Sequence, residues 1–308
     1  MAAPHFLQSE AWASFQQSLG HKVITREGSG WSYRAILESS AGLRRLYVPY
    51  GPTITSANAL AEALRELKVD AKEQRAQYLR LQPLGLSIDK AIEKSHHFAL
   101  VDYSQPSATQ VINLDRPPEV ILGEMSQNVR NIYHNFTKKG LSYRESTDPR
   151  EMSHLICLLS GVAAHNQISI HSSAYLQQQA DVLIPLGAAR LHFIELEGVI
   201  IAAALSYRDE HTVYYAHAAA DYDHRKFNAS TALLSSMIMT AKNEGYTAFD
   251  LYGVTTSEDP KHRWAGFTRF KKTFGGETVQ LSPTYEIPVV PLPYHLYRAA
   301  RSISRRLR

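Results

Sequence analysis

The chain has 308 residues, 44% hydrophobic and 20% charged, which excludes a disordered polypeptide and suffices for two domains of ordinary size; its net charge of +4 favours an anionic partner only weakly. The single cysteine, Cys157, excludes an intrachain disulfide or a cysteine zinc cluster, and its apolar neighbours predict a core position. No apolar run reaches membrane-spanning length, and the opening MAAPHFLQSEAWASF lacks the basic start and apolar centre of a signal peptide, so a soluble cytoplasmic protein is expected.

In chain order, Ser9 caps a first helix whose apolar stripe is Trp12, Phe15 and Leu19. Strands are predicted at 31–37 and 43–49, ending in the turn Tyr50-Gly51-Pro52. An amphipathic helix at 57–69 and a strand at 77–81, stopped by Gln82-Pro83, come next. A helix or loop at 87–95 and a strand at 108–114 lead into one helix over 118–139, with Met125, Val129, Ile132 and Phe136 on one side and Gly140 as its cap. The domain boundary is expected near residues 146–148, giving a first domain of 1–146 plus a returning 285–308 and a second of 147–284.

The second half reads as helices at 149–165 and 175–184, a strand at 189–196, paired strands at 199–207 and 212–218, and a long apolar helix at 229–243. A short aromatic strand, 248–252, ends at Gly253. After a polar loop comes GFTRFKKTFGG, where Phe267, Phe270 and Phe274 recur at helical spacing, Arg269, Lys271 and Lys272 flank them, and Gly275-Gly276 stop the helix before a strand at 278–281. Fixed cations on a short helix beside a strand end suit a ligand site in an α/β protein. The tail, 293–308, carries Leu296, Ala300, Ile303 and Leu307 on one stripe among Arg298, Arg301, Arg305, Arg306 and Arg308. It suits either an anionic lipid or RNA surface, or simple packing on the first domain.

Two blocks, Phe249-Asp250-Leu251-Tyr252-Gly253 and Gly266 with Phe270-Lys271 and Phe274-Gly275-Gly276, resemble the FemABX peptidoglycan-bridge aminoacyltransferases. The resemblance extends to Trp12, to Pro49-Tyr50-Gly51-Pro52, to Leu79-Arg80-Leu81-Gln82-Pro83 and to Arg130 with Lys138-Lys139-Gly140. It implies an α/β fold of two tandem N-acetyltransferase (GNAT)-like domains. It also implies transfer from aminoacyl-tRNA, as co-substrate, to the stem peptide of a nucleotide- or lipid-linked peptidoglycan precursor, with no metal and no other cofactor.

By that resemblance Lys271 stabilises the oxyanion and Phe270 shapes the site, while Arg269 and Lys272 are candidates for tRNA. Tyr215, His217 and Tyr252 are expected in the substrate groove, with Tyr215 and His217 on one strand face. Gln16 and Gln82 stand where some members have Lys and Asp, and His171 stands near an absent Arg, so the acceptor's diphosphate would fall to Arg80, His171 or Arg130. From the residues alone, Lys271 also fits a surface lysine, Phe270 a core residue and His217 a hydrogen-bonded core histidine.

Two other functions remain open. An acetyl-CoA-dependent N-acyltransferase needs a glycine-bearing pyrophosphate loop before the long helix, and Arg225-Lys226-Phe227-Asn228-Ala229-Ser230 lacks both glycines. A non-catalytic binding module of the same fold would explain Gln16 and Gln82. A metal site is not expected, since HExxH is absent and His96-His97 alone define none.

Overall fold

A computed structural model describes residues 4–40, 42–101 and 105–306. The first stretch holds α1 (Glu10–Ser18), β1 (Lys22–Gly28), β2 (Trp31–Ser40), β3 (Leu43–Val48), β4 (Thr53–Ile54), α2 (Ala57–Glu73), β5 (Tyr78–Leu81), α3 (Lys90–Ser95) and β6 (Ala99–Leu100). Next come β7 (Ala108–Asn113), α4 (Pro118–Glu124), α5 (Gln127–Asn135), β8 (Leu141–Ser146), α6 (Met152–Asn166), α7 (Ser173–Leu183), β9 (Ala189–Leu196), β10 (Val199–Arg208) and β11 (Thr212–Ala220). The chain then runs through α8 (Ala229–Asn243), β12 (Ala248–Gly253), α9 (Ala265–Lys272), β13 (Glu277–Gln280), β14 (Tyr285–Pro288) and α10 (Pro291–Arg306).

Two units result, Met1–Ser107 with Leu281–Arg308, and Ala108–Gln280. Each has its own seven-stranded mixed sheet: β1-β2-β3-β5-β14-β6 with β4 beside β2, and β13-β7-β12-β11-β10-β9-β8. The construction repeats. An antiparallel meander passes through a helix into one parallel pair, β3 with β5 after α2 and β11 with β12 after α8. The antiparallel neighbour of each of those last strands, β14 or β7, comes from a distant part of the sequence. This is the expected α/β architecture of tandem GNAT-like domains.

The division falls earlier than the expected boundary at 146/147. The reason is β7, which pairs with β12 and β13, and α5, whose Val129 and Ile132 join Leu233, Ile238, Phe249 and Phe274 in one buried cluster. Residues 108–146 therefore complete the second core. The C-terminal return begins at Leu281, and β14 pairs with β5 inside the first sheet.

The helix expected over 118–139 is two helices. Met125 is extended, with ψ 146°, and Ser126 starts α5 by accepting the Val129 N–H. The Ser126 N–H donates to the Thr273 carbonyl at 2.8 Å, tying this break to the end of α9. Gly275 and Gly276 both sit in the left-handed region. A Cβ on Gly276 would collide with the Val111 carbonyl and one on Gly275 would come 2.9 Å from Glu124 Cβ, so only glycine lets the chain turn against β7.

Two tail and core expectations change. Cys157 is exposed on α6. On α10 the packed face is Tyr294 and Tyr297, both within 5.5 Å of the Tyr78 ring, whereas Leu296 and Ala300 face solvent. Leu307 and Arg308 lie outside the described residues, as do the side chains of Ile303, Arg305 and Arg306. No helix among the described residues is long and apolar enough to cross a membrane.

Candidate active site

Strands β11 and β12 share register only from Thr212↔Ala248 to Tyr214↔Asp250, although β11 continues to Ala220 and β12 to Gly253. A cavity of about 640 Å³ lies against their diverging carboxyl ends, the position where α/β sheets hold ligands. One wall is the small-residue run Ala216–Ala220 without His217, backed by Leu233 of α8. The other is Tyr252 with Phe267, Phe270 and Lys271 of α9. Small side chains on β11 leave the space that bulky ones on α9 enclose. Among the described residues its charged lining is Arg263 and Lys271, both cationic, with no carboxylate.

Lys271 is held. Its ammonium donates to the Gly253 carbonyl at 2.8 Å. Burial lowers its pKa to about 8, and the charge of Asp250 only partly opposes this. Asp250 is itself pushed up to about 6 by burial, against hydrogen bonds from Thr109 and the Tyr252 N–H and against the charge of Lys271. For both groups desolvation outweighs their mutual attraction. Such a lysine is a poised, partly dehydrated cation, unlike its exposed neighbours Arg269 and Lys272.

The three phenylalanines do not share one environment. Phe274 is fully buried, Phe270 packs on it edge to face at 5.1 Å while lining the cavity, and Phe267 is 60% exposed at the cavity's edge. The i, i+3, i+7 spacing gave their direction, and the depth of the partner on the other side decided their burial.

Tyr215 and His217 part company. Leu205 pairs with His217 and Ser206 with Tyr215, so Ala216 is a bulge residue on β11. The bulge corrects the expectation of a shared face: Tyr215 lines the cavity, while His217 turns to Tyr207, whose hydroxyl lies 3.2 Å from its Nε2. His171 meets His217 there, with ring centroids 5.9 Å apart, and stacks on Tyr175 at 4.5 Å. Burial, with a smaller contribution from His171, lowers His217 to about 4, and burial also lowers His171. Two uncharged imidazoles at neutral pH do not supply the cation a diphosphate needs.

The other expected acceptor contacts are engaged within the fold, Arg80, Gln16 and Gln82 in the first unit and Arg130 in the second. The Arg80 guanidinium is buried against Glu286. Gln16 is buried with Oε1 2.8 Å from His21 Nδ1. Gln82 is fully buried and its Nε2 donates to the Gln105 carbonyl at 3.2 Å. Arg130 Nη1 donates to the Gly123 carbonyl at 3.0 Å and, at shorter range, to that of Met125. Arg80, Gln16 and Arg130 are engaged within the fold, and Gln82 Oε1, without a hydrogen-bond partner among the described residues, is fully buried.

Sequence reasoning missed Arg263, Ser230, Val162 and Thr109. The run Ala218-Ala219-Ala220 on a strand was a usable signal for a cavity wall; nothing local marked Thr109, which meets Asp250 only through the pairing of β7 with β12. At the start of α8, Asn228 adopts φ 56°, the left-handed conformation that a glycine would have taken there.

Residues 188–302 match the model of the FemAB family, which bears out the resemblance read from the two sequence blocks. No curated protein matches the sequence. Among solved structures, FemX superposes with a TM-score of 0.83 at 17% identity, covering 95% of this chain and 94% of that one. L-PGS from Bacillus licheniformis is also similar, with a TM-score of 0.61 at 14% identity, covering 96% and 94%. A tandem GNAT protein from the clavulanic acid biosynthesis pathway gives 0.56 at 14%, covering 88% and 84%. At these identities the likenesses establish the fold.

Proposed function

We propose that this chain is an acyltransferase of the peptidoglycan-bridge type, moving an aminoacyl group from aminoacyl-tRNA to an amine on the stem peptide of a nucleotide- or lipid-linked precursor. The observation that carries the reading is the half-dehydrated Lys271 ammonium on the wall of a roomy cavity whose charged lining is cationic throughout. The family match over residues 188–302 supports it.

The chemistry asks little else. The acceptor amine attacks the ester carbonyl, a C–N bond forms, and a tetrahedral oxyanion results. Lys271 stabilises that oxygen by charge and hydrogen bonding. The C–O bond to the ribose then breaks, and the proton lost by the amine ends on the departing ribose oxygen through substrate or water. Gln82 is no base, and the transfer needs none from it. Tyr252 and Phe270 shape the cavity around the aminoacyl end, and the exposed Arg269 and Lys272 suit phosphates of the tRNA acceptor end. The exposed face of α10 suits contact with an anionic membrane surface on the cytoplasmic side.

Labelled amino acids on a total aminoacyl-tRNA pool, offered with nucleotide-linked and lipid-linked muropeptides, test the reading. Transfer by the wild type, reduced roughly a hundredfold by Lys271→Ala, is expected. Undiminished transfer by the variant would remove Lys271 from the mechanism. The left-handed Asn228, with Ser230 at the cavity, favours a second reading in which acetyl-CoA is the donor. A thermal shift with acetyl-CoA but no aminoacyl transfer would establish it. A binding module predicts that Lys271→Ala changes neither activity nor ligand affinity.

A further inference from the structure

Strand β12 is irregular where it meets the cavity. Asp250 pairs with Val111 and Gly253 with Thr109, so β12 spends three steps where β7 spends two. The extra residue is accommodated by Tyr252, at φ 65°. A bulky ring in the left-handed region is held there only if its surroundings over-determine it. Asp250 does so. One carboxylate oxygen accepts the Tyr252 N–H at 2.6 Å and, at shorter range, the Thr109 hydroxyl. The turn presents the Tyr252 ring to the cavity and places the Gly253 carbonyl where it accepts from the ammonium of Lys271, itself on the cavity wall.

We infer that Asp250 is a positioning residue, fixing Lys271 and Tyr252 through the bulge and supplying the negative charge that keeps the Lys271 ammonium protonated. It does not line the cavity, so it acts through the groups it holds. The inference rests on the reading of Lys271 as the charge at the reacting carbonyl, and extends it to three hydrogen bonds across three elements, Thr109 and the Tyr252 N–H to Asp250 and Lys271 to Gly253, joined through the Tyr252–Gly253 peptide. Among the described residues, the charged and titratable groups around Lys271 are Asp250 and Tyr252 on β12, Tyr215 on β11 and Arg263 before α9. Asp250 is the anion of the set, and its charge favours the ammonium against the cost of burial.

The test is direct titration of the Lys271 side chain by NMR in the full chain, its resonance assigned by loss in Lys271→Arg. The wild-type midpoint is expected near 8. Asp250→Asn keeps an acceptor oxygen for Tyr252 and Thr109 but removes the charge, and should move the midpoint down by about 0.5–1 pH unit. A midpoint unchanged in this variant overturns the inference. Should Asp250→Asn fail to fold, Thr109→Val carries the test: amide exchange at Tyr252 should quicken by roughly tenfold as the carboxylate loses its second anchor, and unchanged exchange overturns it. In transfer assays Asp250→Asn should lower kcat with little change in KM and shift the alkaline limb in step with the titration. If the titration shifts but Lys271→Ala transfers normally, the positioning holds and the role given to Lys271 fails, so the two ideas fall separately.

Discussion

Arg80 on β5 and Glu286 on β14, 206 positions apart in sequence, are register partners joined by a buried ion pair, with Nε 3.0 Å from Oε1 and Nη2 closer still. Tyr294 of α10 donates to the other carboxylate oxygen at 3.2 Å. One interaction therefore fastens the returning C-terminal segment to the first sheet. Glu286→Ala leaves a buried guanidinium uncompensated and should cost about 3–5 kcal/mol in denaturant unfolding. Tyr294→Phe removes one charge-assisted bond and should cost about 1.5–3 kcal/mol. A loss below about 1 kcal/mol for Glu286→Ala would mean that the pair does not hold the segment.

This pair also marks what the sequence could not reveal. Arg80 was legible as a cation at a strand end, but its partner arrives from 206 residues away, and no local pattern foretells that. The same distance effect misplaced the domain boundary, because β7 looks like the end of one unit until its pairing with β12 is known. The long apolar run of α8, ended by Gly245, was readable to the residue. Strand β1, with its weakly alternating burial, and the two-residue β4 and β6 were not. At the site, Lys271, Phe270 and Tyr252 were found through a motif. Separating Tyr215 from His217 required the bulge at Ala216, which leaves no sequence signature.

Burial of Asp250 and Lys271 has opposite signatures on pH-dependent stability. Asp250 rises from the ordinary 3.8 to about 6, so the folded state binds the extra proton. Its stabilising share is complete below the unfolded pKa and disappears as pH climbs through about 6, a loss of about 3 kcal/mol at neutral pH. Lys271 falls from 10.5 to about 8, so stability recovers as pH rises from about 8 towards 10.5. Asp250→Asn should thus be more stable than wild type at pH 7, by up to about 3 kcal/mol, with the gain vanishing below about pH 4. Equal stability of the two proteins at pH 7 would contradict a buried, destabilising carboxylate.

Transfer that needs the Lys271 ammonium should be lost as pH rises through about 8, because the free amine carries no charge to the oxyanion. A pH profile of kcat/KM with a single alkaline limb near that value is expected. Lys271→Arg, charged throughout this range, should flatten the limb at reduced rate. A wild-type profile level to pH 9.5 would assign the charge to another group.

Phe267 and Phe274 separate ligand binding from folding. Phe274→Ala opens a cavity in a fully buried cluster and should cost about 3–5 kcal/mol. Phe267→Ala alters a mostly exposed ring and should stay within about 0.5 kcal/mol of wild type. The same change strips an aromatic wall from the cavity and should raise KM for the acyl donor about tenfold, as loss of one stacking partner does. A Phe267→Ala enzyme with wild-type KM would place the donor away from this edge.

The α10 helix tests the expected membrane contact. Tyr294 and Tyr297 anchor it, which leaves Leu292, 72% exposed, and Leu296, 64% exposed, one turn apart on the outer face, while the exposed Arg298 lies over the Tyr294 ring towards the other side of the helix. Apolar burial would dock such a face, and the arginines elsewhere on the helix add attraction to anionic headgroups. Sedimentation with phosphatidylglycerol-containing vesicles should capture the wild type, with little binding to purely zwitterionic vesicles and a fall as salt is raised. Leu292→Glu with Leu296→Glu should weaken capture by at least about tenfold, since two leucines are worth more than 1.4 kcal/mol when buried. Because both residues point away from Tyr78, the double variant should keep the wild-type melting temperature. Equal sedimentation of variant and wild type would move the lipid contact elsewhere, and absence of sedimentation with anionic vesicles would leave α10 as the fastening of the first unit alone.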